Sequence, residues 1–138
     1  MKISKEYHWE MGHRLPFHNG LCKNLHGHSY KAIISVSGTP DDNGILIDFY
    51  DLDKLMQPLI KKMDHGFILS ETDAEVIAFF TKISSKHFVV PFHSTAENIS
   101  MYIAEELKKG GLPVNITHIS AEVYETADAS AFYGMDLI

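Results

Sequence analysis

The stretch HGHSYKAIISVSG, His26 to Gly38, decides how this chain is read. It alternates with period two, so His26, His28, Tyr30, Ala32, Ile34 and Val36 share one face of a strand. The segment before it alternates in the same way. Ile3, Lys5, Tyr7, Trp9, Met11 and His13 fall on one face, and Lys2, Ser4, Glu6, His8 and Glu10 on the other. Between the two, residues 14–25 carry Pro16, Asn19-Gly20 and Asn24 and read as a loop. Antiparallel pairing across that loop sets the end of the first strand beside the start of the second.

Working outward, Thr39 to Gly44 reads as a tight turn and Ile45 to Phe49 as a short strand. The period then becomes helical. Leu52, Leu55, Met56, Leu59, Ile60 and Met63 form a stripe, with Asp48 or Asp51 as cap and Pro58 expected to bend the helix. Val76, Phe79, Phe80 and Ile83 suggest a shorter helix behind Asp73. Phe88 to Phe92 reads as an edge strand because Pro91 lies in it. Ser94-Thr95-Ala96-Glu97 reads as a capping box, with Glu97 as its acid, before the stripe Ile99, Tyr102, Ile103 and Leu107. Lys108-Lys109-Gly110-Gly111 ends that helix. Strands are expected over Asn115 to Glu125 and Ser130 to Met135. The expectation is an α+β fold: an antiparallel sheet with two main helices on one face.

Composition narrows the class. At 138 residues, with no repeat or linker, residues 1–138 read as a single domain. The longest apolar run is the five residues Val76 to Phe80, too short to span a membrane. The start, Met1 to Glu6, lacks the apolar stretch of a secretory signal. A single cysteine, Cys22, can form no internal disulfide, which fits a reducing cytoplasm. A net charge of -6 argues against a general nucleic-acid binder. The unusual number is nine histidines, which directs attention to metal chemistry.

His26 and His28 project from the same face of one strand, and His13 ends the apolar face of the other. Parity therefore brings three imidazoles to one end of the sheet. Three neutral imidazoles with an open fourth position form a catalytic zinc arrangement. Any one of them alone would read as a hydrogen-bonded core histidine; His8, His18, His87, His93 and His118 read as surface or loop residues. Cys22, four residues before His26, could close the zinc site as a fourth ligand or stay off the metal as a nucleophile or base. Asp64 beside His65 could orient an imidazole for proton transfer, although adjacent Asp-His is common by chance. Glu125 ends a strand on the apolar face of Ile119, Ala121 and Val123. It either turns out to solvent or accepts two N–H donors from a ligand.

Together these residues resemble the 6-pyruvoyltetrahydropterin synthase family, which includes the bacterial 6-carboxytetrahydropterin synthases. The motifs are Gly12-His13-Arg14-Leu15, the Cys-x-x-x-His-Gly-His run from Cys22 to His28, Gly44-Ile45-Leu46-Ile47-Asp48-Phe49, Asp64-His65, Thr95-Ala96-Glu97-Asn98 and Glu125-Thr126. The resemblance implies a tunnelling fold, with subunit sheets joined into a trimeric barrel and two trimers stacked as a homo-hexamer. It implies Zn2+ on His13, His26 and His28, Cys22 as the proton-abstracting base, Asp64 and His65 as a relay, and Glu125 as the pterin anchor. The implied substrate is 7,8-dihydroneopterin triphosphate. The implied product is 6-carboxytetrahydropterin, on the way to queuosine, since a short chain with no targeting segment looks prokaryotic. The pyruvoyl product is the alternative within the family. From another class comes a non-catalytic module whose zinc is closed by Cys22 and the three histidines. The chain departs from the family pattern in three places, one of them a segment between His65 and Thr95 that is long beside the compact bacterial members. The usual Asp-His-x-x-Leu-Asn reads Asp64-His65-Gly66-Phe67-Ile68-Leu69, and Ser94 stands where proline is usual.

Overall fold

Six strands, three helices and one 3-10 turn follow one another along residues 1–137, the residues described by the computed structural model. In chain order they are β1 (Lys2–His13), the turn Leu21–Lys23, β2 (His26–Gly38), α1 (Phe49–Met63), β3 (Gly66–Ser70), α2 (Ala74–Lys82), β4 (His87–Val90), α3 (Ala96–Gly110), β5 (Ile116–Thr126) and β6 (Ala129–Asp136). The sheet order is β4-β3-β1-β2-β5-β6. The four long strands β1, β2, β5 and β6 pair antiparallel. Outside them β3 joins β1 in parallel, and β4 joins β3 in parallel. The α+β class is as expected from the sequence, but the sheet is mixed, because β3 lies in a run too short to show a period. Among the described residues no helix is long and apolar enough to cross a membrane.

The predicted face of each long strand is the buried one. Tyr7, Trp9, Met11, Tyr30, Ala32, Ile34, Val36, Ile119, Ala121 and Val123 are all buried and meet Leu52, Met56 and Met63 of α1 and Ile99, Ile103 and Leu107 of α3. Each fully buried aliphatic side chain of this kind stabilises the fold by roughly 1.5–3 kcal/mol. The helix α2 contributes only Phe80 to the buried set.

Two local expectations fail for identifiable reasons. Ile45 to Phe49 is not a strand. Leu46 and Ile47 are buried, and the Asn115 side chain donates to the Leu46 carbonyl at 2.8 Å in place of a ladder partner. Pro58, expected to bend the helix, sits inside α1 on its exposed face, where water can satisfy the carbonyl it leaves free. The cap of α3 is one residue later than expected. Thr95 accepts the Asn98 N–H at 3.1 Å, so Glu97 is exposed near the helix start and closes no capping box. Ser94 is thereby released for another contact.

Candidate metal centre

β1 and β2 pair along their whole length, with His13 opposite His26 and Met11 opposite His28. The register thus does what parity requires: the three imidazoles stand on the helix-facing side at one end of the sheet. Their ring centroids are 4.6 Å (His13–His26), 5.2 Å (His13–His28) and 4.9 Å (His26–His28) apart. One ligand atom from each lies within 4.8 Å of the others. Gly12, beside His13, is needed because a Cβ there would lie 2.3 Å from the Phe67 ring of β3.

Hydrogen bonds set which nitrogen each ring offers. His13 Nδ1 donates to the Ser94 carbonyl at 2.8 Å, with Ser94 Oγ at 3.1 Å, and His26 Nδ1 donates to the Asn24 carbonyl at 2.6 Å. A carbonyl can only accept, so both rings carry their proton on Nδ1 and present a lone pair on Nε2. His13 Nε2 and His28 Nε2 are buried without a partner. Glu125 Oε1 stands 4.0 Å from His13 Nε2 and its Oε2 4.0 Å from His28 Nε2. Unpaired ring nitrogens and a carboxylate facing one another at a largely buried site are costly unless a cation or another polar group comes between them. The residues therefore fit a bound metal. The donor set, imidazole nitrogen with a carboxylate nearby, suits zinc.

Burial pushes the His13 pKa down to about 4, against the smaller upward pull of the Ser94 carbonyl; the neighbouring imidazoles push it further down. His28 is lowered by burial and by His26. Burial raises the Glu125 carboxyl, and Glu97 adds to it, while His26 opposes. The ordinary histidine value near 6.5 holds in the unfolded chain, which therefore takes up a proton below about pH 6.5 that the folded chain refuses until about pH 4. The metal-free protein should lose up to about 3 kcal/mol of stability from His13 as pH falls through that window. Urea unfolding from pH 7 to pH 4.5 measures it; replacing His13 with asparagine should flatten the slope, and an unchanged slope would show that His13 is not the cause.

The other expected residues are placed unequally. Glu125 turns into the site rather than out to solvent, with 27% of its side chain exposed. Cys22 lies half-buried on the turn Leu21–Lys23, its carbonyl accepting the Leu15 N–H at 2.8 Å. It is not among the clustered ligand atoms. Asp64 follows α1 and accepts the Glu10 N–H at 2.9 Å and the His65 Nδ1–H at 2.9 Å. The Glu10 N–H and the His65 contact both hold its carboxyl below the usual range. His65 has φ of 60° and a side chain 78% exposed. Among the described residues no hydrogen bond or ion pair joins this pair to the histidine cluster. His118 pairs with Asp136 at 2.8 Å, as befits a surface histidine, whereas His93 Nδ1 is buried without a partner.

Two polar groups at the site carry no periodic signal: the oxygens of Ser94 that face His13, and the hydroxyl of Tyr30, a core residue as its strand face predicts. Tyr30 is 1% exposed, stacks on Trp9 at 5.4 Å, and has an unpartnered hydroxyl. Burial and Glu125 together raise its pKa. The signal was present only as a polar atom on an apolar face. A cleft of about 520 Å³ lies mainly on the opposite face of the sheet, where His8, Ser29, Lys31 and Tyr124 line it, and reaches His28 and Glu125 at the sheet end.

Comparison with known proteins places the chain in a family. The family model for 6-pyruvoyl tetrahydropterin synthase matches residues 2–136. A 6-carboxy-5,6,7,8-tetrahydropterin synthase of Haemophilus influenzae is 41% identical over 115 residues, covering 78% of this chain and 82% of that protein. The enzyme of the same name from Aquifex aeolicus is 31% identical, covering 96% of each chain. Among solved structures, a Plasmodium vivax 6-pyruvoyltetrahydropterin synthase variant matches with a TM-score of 0.80 at 20% identity, covering 99% of this chain and 98% of that one. An uncharacterized Wolinella succinogenes protein matches with a TM-score of 0.81 at 22% identity, covering 96% and 97%. At those identities the two structures speak for the fold, and the family match together with the named relatives speaks for the chemistry: this chain belongs to the 6-pyruvoyl tetrahydropterin synthase family and is one of its enzymes, a pterin synthase.

Proposed function

We propose that the chain is a zinc-dependent lyase that converts 7,8-dihydroneopterin triphosphate to 6-carboxytetrahydropterin, the branch that serves queuosine synthesis in the cytoplasm. One observation carries the metal reading: the unpartnered Nε2 atoms of His13 and His28, each 4.0 Å from an oxygen of Glu125. The names of the relatives at 41% and 31% identity support the carboxy branch. His13, His26 and His28 hold the zinc. When bound, it supplies Lewis acidity that makes carbon-bound protons of the substrate side chain easier to remove. Glu125 accepts two hydrogen bonds from the exocyclic amine and adjacent ring N–H of the pterin, which fixes the ring beside the three histidines. Cys22 takes the proton from carbon, and His65, aligned by Asp64, exchanges it. Triphosphate leaves, and water adds to the side-chain carbon next to the ring as the following carbon–carbon bond breaks, which leaves the carboxylate on the ring and releases acetaldehyde.

The assembly we propose is a hexamer of two stacked trimers, with the active site at a subunit boundary. β3 pairs with β1 only at Met11 and Gly12, so the outer edge of β1 from Lys2 to Trp9 is open, as is that of β6. Open sheet edges of this length are association hazards unless another chain pairs with them. An exposed Asp64-His65 pair with no link to the cluster in its own chain also fits a site completed by a neighbour.

Incubating the zinc-loaded protein with 7,8-dihydroneopterin triphosphate tests the whole reading. The expected products are 6-carboxytetrahydropterin with matching acetaldehyde, from a particle that light scattering sizes at six chains. Glu125→Gln should weaken pterin binding by about 2–4 kcal/mol, by turning one acceptor into a donor. A 6-pyruvoyl product without acetaldehyde would move the enzyme to the other branch. No turnover at full zinc loading would refute the lyase assignment.

A further inference from the structure

We infer that Ser94 is a positioning residue for the metal centre, its carbonyl and hydroxyl oxygens together gripping the Nδ1–H of His13 so that Nε2 faces the site as a lone pair. The inference rests on the zinc reading above. His13 and Ser94 are each 1% exposed, so water can replace neither partner. Ser94 offers two acceptors to one N–H: the carbonyl at 2.8 Å and Oγ at 3.1 Å. The carbonyl settles the tautomer, because it cannot donate. A single acceptor would still let the ring swing about the N–H···O line, and the second acceptor limits that swing. Among the described residues Ser94 Oγ makes no other hydrogen bond.

Ser94 is itself held from a distance. The carbonyl of His93 accepts the Thr95 N–H and the Asn98 side-chain amide, both at 2.9 Å, and Thr95 Oγ1 accepts the Asn98 N–H at 3.1 Å. These bonds tie the turn before α3 to that helix's first residues, and Ile99, Ile103 and Leu107 lock α3 to the sheet. On the other side, the His93 ring packs against Phe17 at 4.7 Å. The packing of α3 thus reaches His13 through Ser94. His26 differs: its Nδ1 partner, the Asn24 carbonyl, is local and exposed. His13 is the ligand whose aim depends on a separate element of the fold.

Ser94→Ala keeps the carbonyl and removes only the hydroxyl, and Ser94→Thr keeps both acceptors. Zinc affinity, read by chelator competition, should fall at least ~10-fold in Ser94→Ala and stay within ~3-fold of the parent in Ser94→Thr, in line with lost and kept outer-shell partners. In the metal-free protein, side-chain nitrogen–proton NMR should show His13 as one Nδ1–H tautomer, and Ser94→Ala should speed exchange of that proton. A residue with only a packing role would lower the melting temperature and move neither reading. Unchanged affinity and unchanged exchange in Ser94→Ala would overturn the inference. If the parent chain bound no zinc, the metal reading would fall, while the NMR arm would still decide whether Ser94 holds His13.

Discussion

Cys22→Ala should hold zinc as tightly as the parent chain and yet turn over 7,8-dihydroneopterin triphosphate at least ~100-fold more slowly, the lower end for a lost general base. Two features of the structure shape this expectation. Cys22 is outside the group of clustered ligand atoms, so its sulfur is not needed to hold the ion. Its backbone carbonyl pins the loop through the Leu15 N–H, a bond that alanine keeps. Zinc content and turnover measured on one preparation separate the possibilities. Lost zinc would turn Cys22 into a ligand and the site into a closed structural one. Retained zinc with undiminished turnover would remove Cys22 from the chemistry.

His26→Ala and His28→Ala should each abolish tight zinc binding, a larger loss than the ~10–100-fold typical of an outer-shell change. Three ligands leave no spare, and each ring approaches the other two within 5.2 Å, so none can be replaced by a neighbour without moving the sheet. His8→Ala is the control, because His8 is exposed and faces away from the cluster on the opposite side of β1. Dialysis followed by metal analysis gives the answer directly. Full zinc occupancy in a variant lacking both His26 and His28 would show that the ion sits elsewhere.

Much of the scaffold was legible because its signals are local and periodic. Strand parity placed Trp9, Met11 and His13 with Tyr30, Ile34 and Val36 on one buried face, and the pairing of His13 with His26 followed from the intervening loop. The helical stripes of α1 and α3 emerged for the same reason. β3 and the cap of α3 were not legible. A five-residue strand that pairs with β1 at two positions carries no period, and Ser94 and Thr95 are both good caps in sequence. Only the contact with His13 shows why Thr95 caps and Ser94 does not.

By itself the sequence determined the strand faces, the two principal helices and the convergence of His13, His26 and His28, because a two-residue side-chain period leaves a strand no choice of face. Tertiary structure decided the rest. It turned Glu125 inward to within 4.0 Å of two imidazole nitrogens, left Cys22 out of the cluster, and set Asp64-His65 on the β3 flank of β1, bonded to Glu10. It also made Ser94 the partner of His13, across 81 residues of chain. The physical reason is common to all four. The direction of a side chain at the end of an element, and the donors and acceptors it meets there, depend on which other elements pack against that end, and no periodicity along the chain records it.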